Sequence, residues 1–216
     1  MELYHVLNRG TDKRVIAMDN RDRLRFTTDL YVMNDANVVL NLTRNLNEVG
    51  PHSGTREQLV NVHGWCLMGN HYHLLLSNCV ESGISRFLQK FNGGYTMYFN
   101  KRHNRSGVLY QGKTKRILIK SDAHYNYILP YIHCNPLDLQ KTTASWRAQC
   151  LVNPARAIEY IQKYRWSSYR NYTGEPEFAE ILAGSSLYRD RDSHVKEMKH
   201  FLNSLQDAEL RSLDLE

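Results

Sequence analysis

Apolar and polar positions alternate in two rhythms along the first part of the chain, one typical of strands and one typical of helices. Residues 3–7 predict a short first strand, and residues 20–33 predict a helix capped by its first residue. Residues 58–67 predict a second strand. Met68-Gly69-Asn70 then turns the chain into a third strand that begins at His71. The pattern therefore predicts a β-hairpin with His71 at its turn.

The pattern is weaker between residues 34 and 54, where Val38-Val39-Leu40 either adds a strand or extends the helix. A second helix with a serine cap is expected over residues 82–100. Its Gly93-Gly94 pair costs about 1 kcal/mol per glycine relative to alanine. The pair therefore indicates either a kink or the close approach of another backbone.

Residues 108–120 predict a fourth strand, which can bulge at Gly112. A third helix then begins at Ser121 or Asp122, and Asn135-Pro136 ends it. Pro130 interrupts the helical pattern, so the helix is either kinked or divided there. These elements complete the order strand, helix, hairpin, helix, strand, helix.

That order predicts an α+β fold: a ferredoxin-like antiparallel sheet with helices packed mainly on one face. After Pro136 the segments become shorter and more polar, with helical stretches near residues 155–163, 177–182 and 193–205. We therefore expect a domain of residues 1–140 and a helical C-terminal extension of residues 141–216 packed on it.

Composition is that of a folded globular protein, with 42% hydrophobic and 23% charged residues. No apolar run approaches the ~20 residues that span a bilayer, and the first residues lack a secretion signal. We expect a cytoplasmic protein that does not enter the membrane. The four cysteines form no Cys-x-x-Cys pair, which argues against a zinc ribbon or a thioredoxin-like site and favours reduced thiols.

The net charge of +6 is distributed unevenly. Between Ser82 and Ser121 there is no aspartate or glutamate, while lysines, arginines and aromatic residues alternate. Basic groups can follow a phosphate backbone, and aromatic rings can stack on unpaired bases. The alternative is a solvated basic face over an aromatic core. One sign of charge over forty residues favours nucleic acid as the partner.

The candidate chemistry begins at His71-Tyr72-His73, which opens a run of leucines. On a strand the two histidines point to the same face, and Tyr72 points to the opposite face. Two imidazoles on one face provide half of a metal site. The simpler alternative is a pair of hydrogen-bonded histidines at a sheet edge, which a lone His-x-His favours.

Tyr131 and Asn135 are four residues apart, so on a helix they share a face. Packed against the sheet, this helix would bring Asn135 to the metal and Tyr131 beside it. Mg²⁺ or Mn²⁺ suits phosphate chemistry, with open positions for a phosphate oxygen and water. A tyrosine can act as a nucleophile, although Tyr127 lies on the same helical face and the chain has 14 tyrosines.

Five segments in order resemble the motifs of a known family. Residues 64–76 resemble the HUH motif of single-tyrosine transposases, and residues 4–10 resemble that family's first strand. Residues 109–113 and 131–136 resemble its later strand and its nucleophile-bearing segment. Arg165-Trp166-Ser167-Ser168-Tyr169 resembles a downstream motif of REP-associated tyrosine transposases. The chain thus resembles this family over residues 4–172.

The resemblance implies that His71, His73 and Asn135 bind the metal and that Tyr131 is the nucleophile. It also implies an endonuclease and transposase that cuts and rejoins single-stranded DNA near hairpins, as in DNA transposition and recombination. The intermediate would be a covalent 5′-phosphotyrosine, and the enzyme would act as a monomer or a homodimer. The phosphate contacts expected from the sequence are Arg9, Arg105, Lys113, Lys115 and Arg116.

Two alternatives remain open. One is a non-catalytic, domesticated DNA-binding protein that recognises repeat hairpins. The other is a replication-initiator or relaxase-like nuclease, which commonly has additional domains or a different arrangement of tyrosines. The intact histidines, tyrosine and asparagine argue against the first alternative, and a chain of this length offers little room for the helicase expected of the second.

Overall fold

The computed structural model describes residues 1–37, 56–143, 146–147, 153–175, 177–182 and 191–204. The ambiguous Val38-Val39-Leu40 segment lies outside these residues. In the described part of the chain, no helix combines the length and apolar character that crossing a bilayer requires.

Four strands form one antiparallel sheet in the spatial order β2-β3-β1-β4. The strands are β1 (Tyr4–Arg9), β2 (Val60–Leu67), β3 (His71–Asn78) and β4 (Lys115–Leu118). Helix α1 connects β1 to β2, and helix α2 connects β3 to β4. This is the ferredoxin-like arrangement. The predicted α+β fold is confirmed, including the hairpin and the start of β3 at His71.

Helices α1 (Asn20–Val32) and α2 (Gly83–Arg102) cover one face of the sheet. Tyr72 points into this layer and is fully buried, with its ring centroid 5.4 Å from that of Phe26 and 5.8 Å from that of Phe91. Asp19, rather than the predicted Asn20, caps α1 by accepting bonds from two backbone amides. An aromatic core thus fixes the central strand from behind.

Helix α3 (Asp122–Cys134) covers the opposite face of the sheet. The helices therefore lie on both faces, and not only on the one where the prediction placed most of them. The rings of His5 and His73 point to the face that α3 covers, which is opposite to the one that Tyr72 faces. Tyr131 packs edge-on against both rings. A Cβ on Gly64 of β2 would lie 2.5 Å from Leu129, so the glycine allows α3 to approach the sheet closely. Pro130 lies within α3 without ending it.

The fourth strand is much shorter than predicted. Of residues 108–120, only Lys115–Leu118 pair as β4, and Tyr110 forms an isolated bridge with Gly10. Gly112 lies between them with a φ of 66°, in the left-handed region that favours glycine. The chain therefore turns at Gly112 instead of continuing as a bulged strand.

Helix α2 is continuous through Gly93-Gly94, and no other backbone approaches the pair. A Cβ on Gly94 would lie 2.4 Å from Cε of Met33, whereas a Cβ on Gly93 would meet nothing within 4 Å. The close approach is therefore that of a side chain at the α1–α2 contact. Gly93 faces an open groove.

The C-terminal helices are α4 (Pro154–Lys163), α5 (Tyr169–Tyr172) and α6 (Arg191–Ser204). The segment before α5 binds the edge of β2. The Leu67 amide donates to the Trp166 carbonyl, and the Ser168 hydroxyl accepts from the Trp65 amide. His133 of α3 contacts His194 of α6 at 3.1 Å between ring nitrogens. The C-terminal helices therefore complete the core on the α3 side of the sheet.

Candidate metal and nucleic-acid site

His71 and His73 share one face of β3, a strand paired on both sides, as the alternation along the strand predicts. Their ring centroids are 5.1 Å apart and the rings are nearly perpendicular. His73 is buried and His71 is half-buried. Backbone pairing on both sides of β3 fixes the separation of the two imidazoles.

The turn before β3 sets the proton position on His71. Its Nδ1 lies 2.7 Å from Oδ1 of Asn70, and Nδ2 of Asn70 donates to the carbonyl of Lys13 at 3.3 Å. This orientation of the amide makes Oδ1 the acceptor, so Nδ1 of a neutral His71 carries the proton. Nε2 then carries the lone pair that a metal requires.

His5, on the neighbouring strand β1, contacts Nδ1 of His73 in the way that Asn70 contacts Nδ1 of His71. Its Nε2 lies 2.9 Å from Nδ1 of His73 and the two rings are stacked. Burial, with a smaller effect of His124, lowers the pKa of His5 to about 3. Burial, followed by nearby cationic groups and histidines, also lowers the pKa of His73 well below its usual value. Both imidazoles are therefore neutral, and one N–H group lies between Nε2 of His5 and Nδ1 of His73.

Nε2 of His73 is buried without a hydrogen-bond partner among the described residues. If Nδ1 of His73 donates to His5, this Nε2 is a lone-pair donor, which is the form that binds metals. An orphaned imidazole nitrogen in this form fits a divalent cation. His71 and His73 therefore have the chemistry that the predicted role of metal ligands requires.

A cavity of about 330 Å³ opens in front of the histidine pair. Its lining brings together both histidines and three of the five predicted phosphate contacts. The lining residues are Leu7, Asn8, Arg9, His71, His73, Gln111, Lys113 and Lys115. Arg9, Lys113 and Lys115 provide a cationic wall, and among the described lining residues none is acidic. The cavity is suited to an anionic ligand.

The other two predicted phosphate contacts lie elsewhere. Arg105 donates to the side chain of Asn100 and to the carbonyl of Val108 at 3.0 Å, within its own loop. Arg116 lines a neighbouring groove, where it donates to the hydroxyl of Ser85 at 2.7 Å. Neither arginine lines the cavity in front of the histidines.

Tyr131 lies beside this pair but is almost completely buried, with 3% of its surface exposed. Its ring centroid is 5.9 Å from that of His73 and 6.0 Å from that of His5. The Arg147 guanidinium lies 5.5 Å from the centroid of the Tyr131 ring and also interacts with its side chain. Trp146 packs against the same ring at 5.8 Å.

Asn135 is buried at the end of α3 and does not line the cavity. Its Nδ2 donates to the carbonyl of Tyr131 at 3.0 Å, and its Oδ1 accepts from Nη2 of Arg147 at 2.9 Å. Its role as a metal ligand stays a prediction, since the amide oxygen is engaged by a guanidinium. Among the described residues, no group of three or more histidine, cysteine, aspartate or glutamate side chains could hold a metal.

Sequence reasoning missed three residues of this site. His5 lies in the first strand, where only the pairing of β1 with β3 brings it to His73. Gln111 lines the cavity through the turn at Gly112. Arg147 follows a polar segment with no recognisable pattern. Its pKa is raised because the hydrogen bond and charge of Asp138, together with Tyr131, outweigh burial.

No protein-family model and no curated protein sequence matches this chain. Among solved structures, the chain is similar to one described as the REP-associated tyrosine transposase bound to a REP hairpin. The two share 10% sequence identity over 82% of each chain, with a TM-score of 0.43.

Proposed function

We propose that this protein is a metal-dependent endonuclease and strand transferase acting on single-stranded DNA, with DNA transposition as its role. The observation that supports this function best is the placement of two imidazoles and a tyrosine on one face of the sheet. His71 and His73 front a cationic cavity, and Tyr131 packs against His73 at 5.9 Å between ring centroids. The ordered motifs that resemble single-tyrosine transposases support the same activity.

In this proposal His71 and His73 hold Mg²⁺ or Mn²⁺ through their Nε2 atoms, and Asn135 is the predicted third ligand. The bound cation would supply Lewis-acid polarisation of a phosphodiester oxygen. Arg9, Lys113 and Lys115 hold the adjoining phosphates as counter-charges. The amide oxygen of Asn70 favours the tautomer with the proton on Nδ1 of His71, and His5 has the same effect on His73 when its Nε2 is the acceptor.

The covalent step uses the phenol oxygen of Tyr131. Its attack forms a phosphorus–oxygen bond and breaks the bond to the 3′ oxygen, which leaves with a proton as a 3′-hydroxyl. The product is a 5′-phosphotyrosine, and attack by a 3′-hydroxyl on that bond rejoins the strand and releases the phenol. The Arg147 guanidinium stabilises negative charge on the phenol oxygen before attack.

Adduct formation tests this function. Wild-type protein with Mg²⁺ or Mn²⁺ should form a covalent complex with a labelled single-stranded hairpin, visible as a shifted band under denaturing conditions. Tyr131→Phe should abolish the band and retain DNA binding. His71→Ala should abolish it as well, because one imidazole cannot hold the cation for cleavage.

Tyr127→Phe is the matched control, since the Tyr127 hydroxyl contacts Ser204 at 2.9 Å. Removing this hydroxyl should leave the adduct unchanged. An adduct that persists in Tyr131→Phe and disappears in Tyr127→Phe would assign the nucleophile to Tyr127.

A non-catalytic protein that binds repeat hairpins is the second candidate. The burial of Tyr131 beneath Trp146 and Arg147 favours it, because a nucleophile must reach its substrate. This candidate predicts DNA binding without an adduct under either metal. The same gel therefore distinguishes the two functions.

A further inference from the structure

An open groove adjoins the histidine cavity on the side of α2. It runs between that helix and residues 108–116, and its volume is about 740 Å³. Asn8 and Lys113 line both spaces, so the groove and the cavity adjoin each other. A strand that leaves the histidine cavity past these two residues would therefore enter the groove.

The walls of the groove combine cations, an exposed amide and exposed apolar side chains. Lys113 and Arg116 provide positive charge, and among the described residues that line the groove none is acidic. Met97 and Val108 are 74% and 70% exposed, so they place apolar surface on the wall of the groove. Cations beside exposed apolar surface suit a phosphate backbone whose bases are unpaired.

Hydrogen bonds hold the polar side chains on the floor of the groove. Asn92 accepts from the Tyr72 hydroxyl at 2.9 Å and donates to the Thr114 hydroxyl at 3.1 Å. Asn8 donates to the same Thr114 oxygen at 2.9 Å. These bonds tie the strands β1 and β3 and the helix α2 to the segment that carries Lys113.

Gly93 keeps the floor open at the middle of the groove. It lies within α2, where glycine is unfavourable by about 1 kcal/mol relative to alanine. Its Cβ would meet no protein atom within 4 Å. Packing within the chain therefore does not require glycine here, and the open position leaves room for a flat ligand against the helix backbone.

We propose that this groove binds the unpaired nucleotides next to the phosphate held at the histidine cavity. Their phosphates contact Lys113 and Arg116, and one base lies flat over Gly93 between Met97 and Val108. Gln89, exposed on the same side of α2, contacts the edge of that base. This inference rests on the proposed function and adds the path of the strand beyond the cleaved bond.

Binding can be measured separately from cleavage. The protein carries Tyr131→Phe and the buffer contains a chelator. The probe is a fluorescent oligonucleotide with a hairpin and unpaired flanks of mixed sequence, followed by fluorescence anisotropy. Gly93→Trp fills the groove, and Met97→Glu places a negative charge on its rim. Both positions are exposed, so the fold should survive, as thermal unfolding would verify.

Each variant should weaken binding about tenfold, as expected for the loss of one stacked base or one favourable phosphate contact. Asn126→Trp and Asn126→Glu are matched controls at an exposed position of α3 that lines neither space, and they should bind like the parent. Single abasic sites in one flank should weaken binding to the parent but not to Gly93→Trp.

Equal binding by the parent, Gly93→Trp and Met97→Glu would overturn the groove while leaving the proposed function intact. Weakening by the Asn126 controls to the same extent would also overturn it, because the effect would then be non-specific. Preference for an acidic peptide over the oligonucleotide would reassign the groove to a protein partner. Failure of the parent to bind any single strand would overturn the groove and the proposed function together.

Discussion

One guanidinium contacts two of the groups on which cleavage would depend, Tyr131 and Asn135. Arg147 binds the Asp138 carboxylate, donates to the Asn135 amide oxygen at 2.9 Å and interacts with the Tyr131 side chain. Asp138 also accepts from the Trp146 indole at 2.7 Å, which holds the segment over the tyrosine ring. Arg147 therefore places a positive charge beside the phenol and engages the amide oxygen of Asn135, the proposed third ligand.

We predict that Arg147→Met slows adduct formation about 10- to 100-fold and shifts its rise to higher pH. A cation beside the phenol favours the phenolate, and methionine keeps the packing without the charge. Arg147→Lys should recover part of the rate, because it restores the charge without the planar contact to Asn135. The measurement is the rate of adduct formation across a range of pH.

A faster adduct in Arg147→Met would contradict this role. It would mean that the guanidinium restrains Tyr131 and Asn135 and that DNA must displace it. A loss of rate with an unchanged pH profile, not recovered by lysine, would reduce Arg147 to a packing residue. The three outcomes separate activation, restraint and packing.

At the scale of elements, periodicity predicted what depends on neighbours along the chain. The hairpin, the shared face of His71 and His73, and the helix bearing Tyr131 all follow from it. Gly69 in the turn does not have a positive φ, and its carbonyl accepts from the amides of Ile16 and Ala17 at 2.8 and 3.2 Å. These long-range bonds fix the start of β3.

What periodicity could not predict depends on contacts distant in sequence. His5 reaches His73 only through strand pairing, and Arg147 reaches Tyr131 only through the packing of the segment after α3. The shortened β4 has the same cause, since Gly112 leaves the strand direction where Lys113 joins the cavity wall. The family resemblance supplied roles for residues, but not these contacts.

The paired glycines of α2 allow a prediction at this scale. Gly93→Ala should raise the free energy of unfolding by about 0.5–1 kcal/mol, since alanine favours the helix and meets no atom. Gly94→Ala should gain less or lose stability, because its Cβ displaces the buried Met33 side chain. Urea unfolding of both variants measures the difference, and equal stabilisation would contradict the assigned contact.

At the scale of the whole molecule, neutral histidines are a recurring part of the core. Burial lowers the pKa of His5 to about 3 and of His63 to about 4. Burial also lowers the pKa of His73 and His133 well below the usual value. Because these rings are buried in the core, their protonation is unfavourable in the folded protein.

This pattern predicts acid sensitivity of the metal-free protein. Below pH 6.5 the unfolded chain binds protons on these four histidines that the folded chain does not bind. The free energy of unfolding therefore decreases as the pH is lowered. Each histidine contributes up to about 1.4 kcal/mol per pH unit. Asp29 has the opposite effect and offsets about one of these histidines. Burial raises its pKa to about 7, so the folded form holds a proton that the unfolded form has lost.

Thermal unfolding in chelator should therefore show a midpoint that drops steeply between pH 6.5 and 5. His63→Gln should flatten the dependence by about one proton, since its ring contacts the Ser77 hydroxyl at 2.8 Å and lies outside the proposed cation site. A midpoint that is constant over this range would show that the histidines are protonated as easily in the folded chain as in the unfolded one. The imidazole of His73 would then be protonated below about pH 6.5, where it could not be a ligand of the proposed cation.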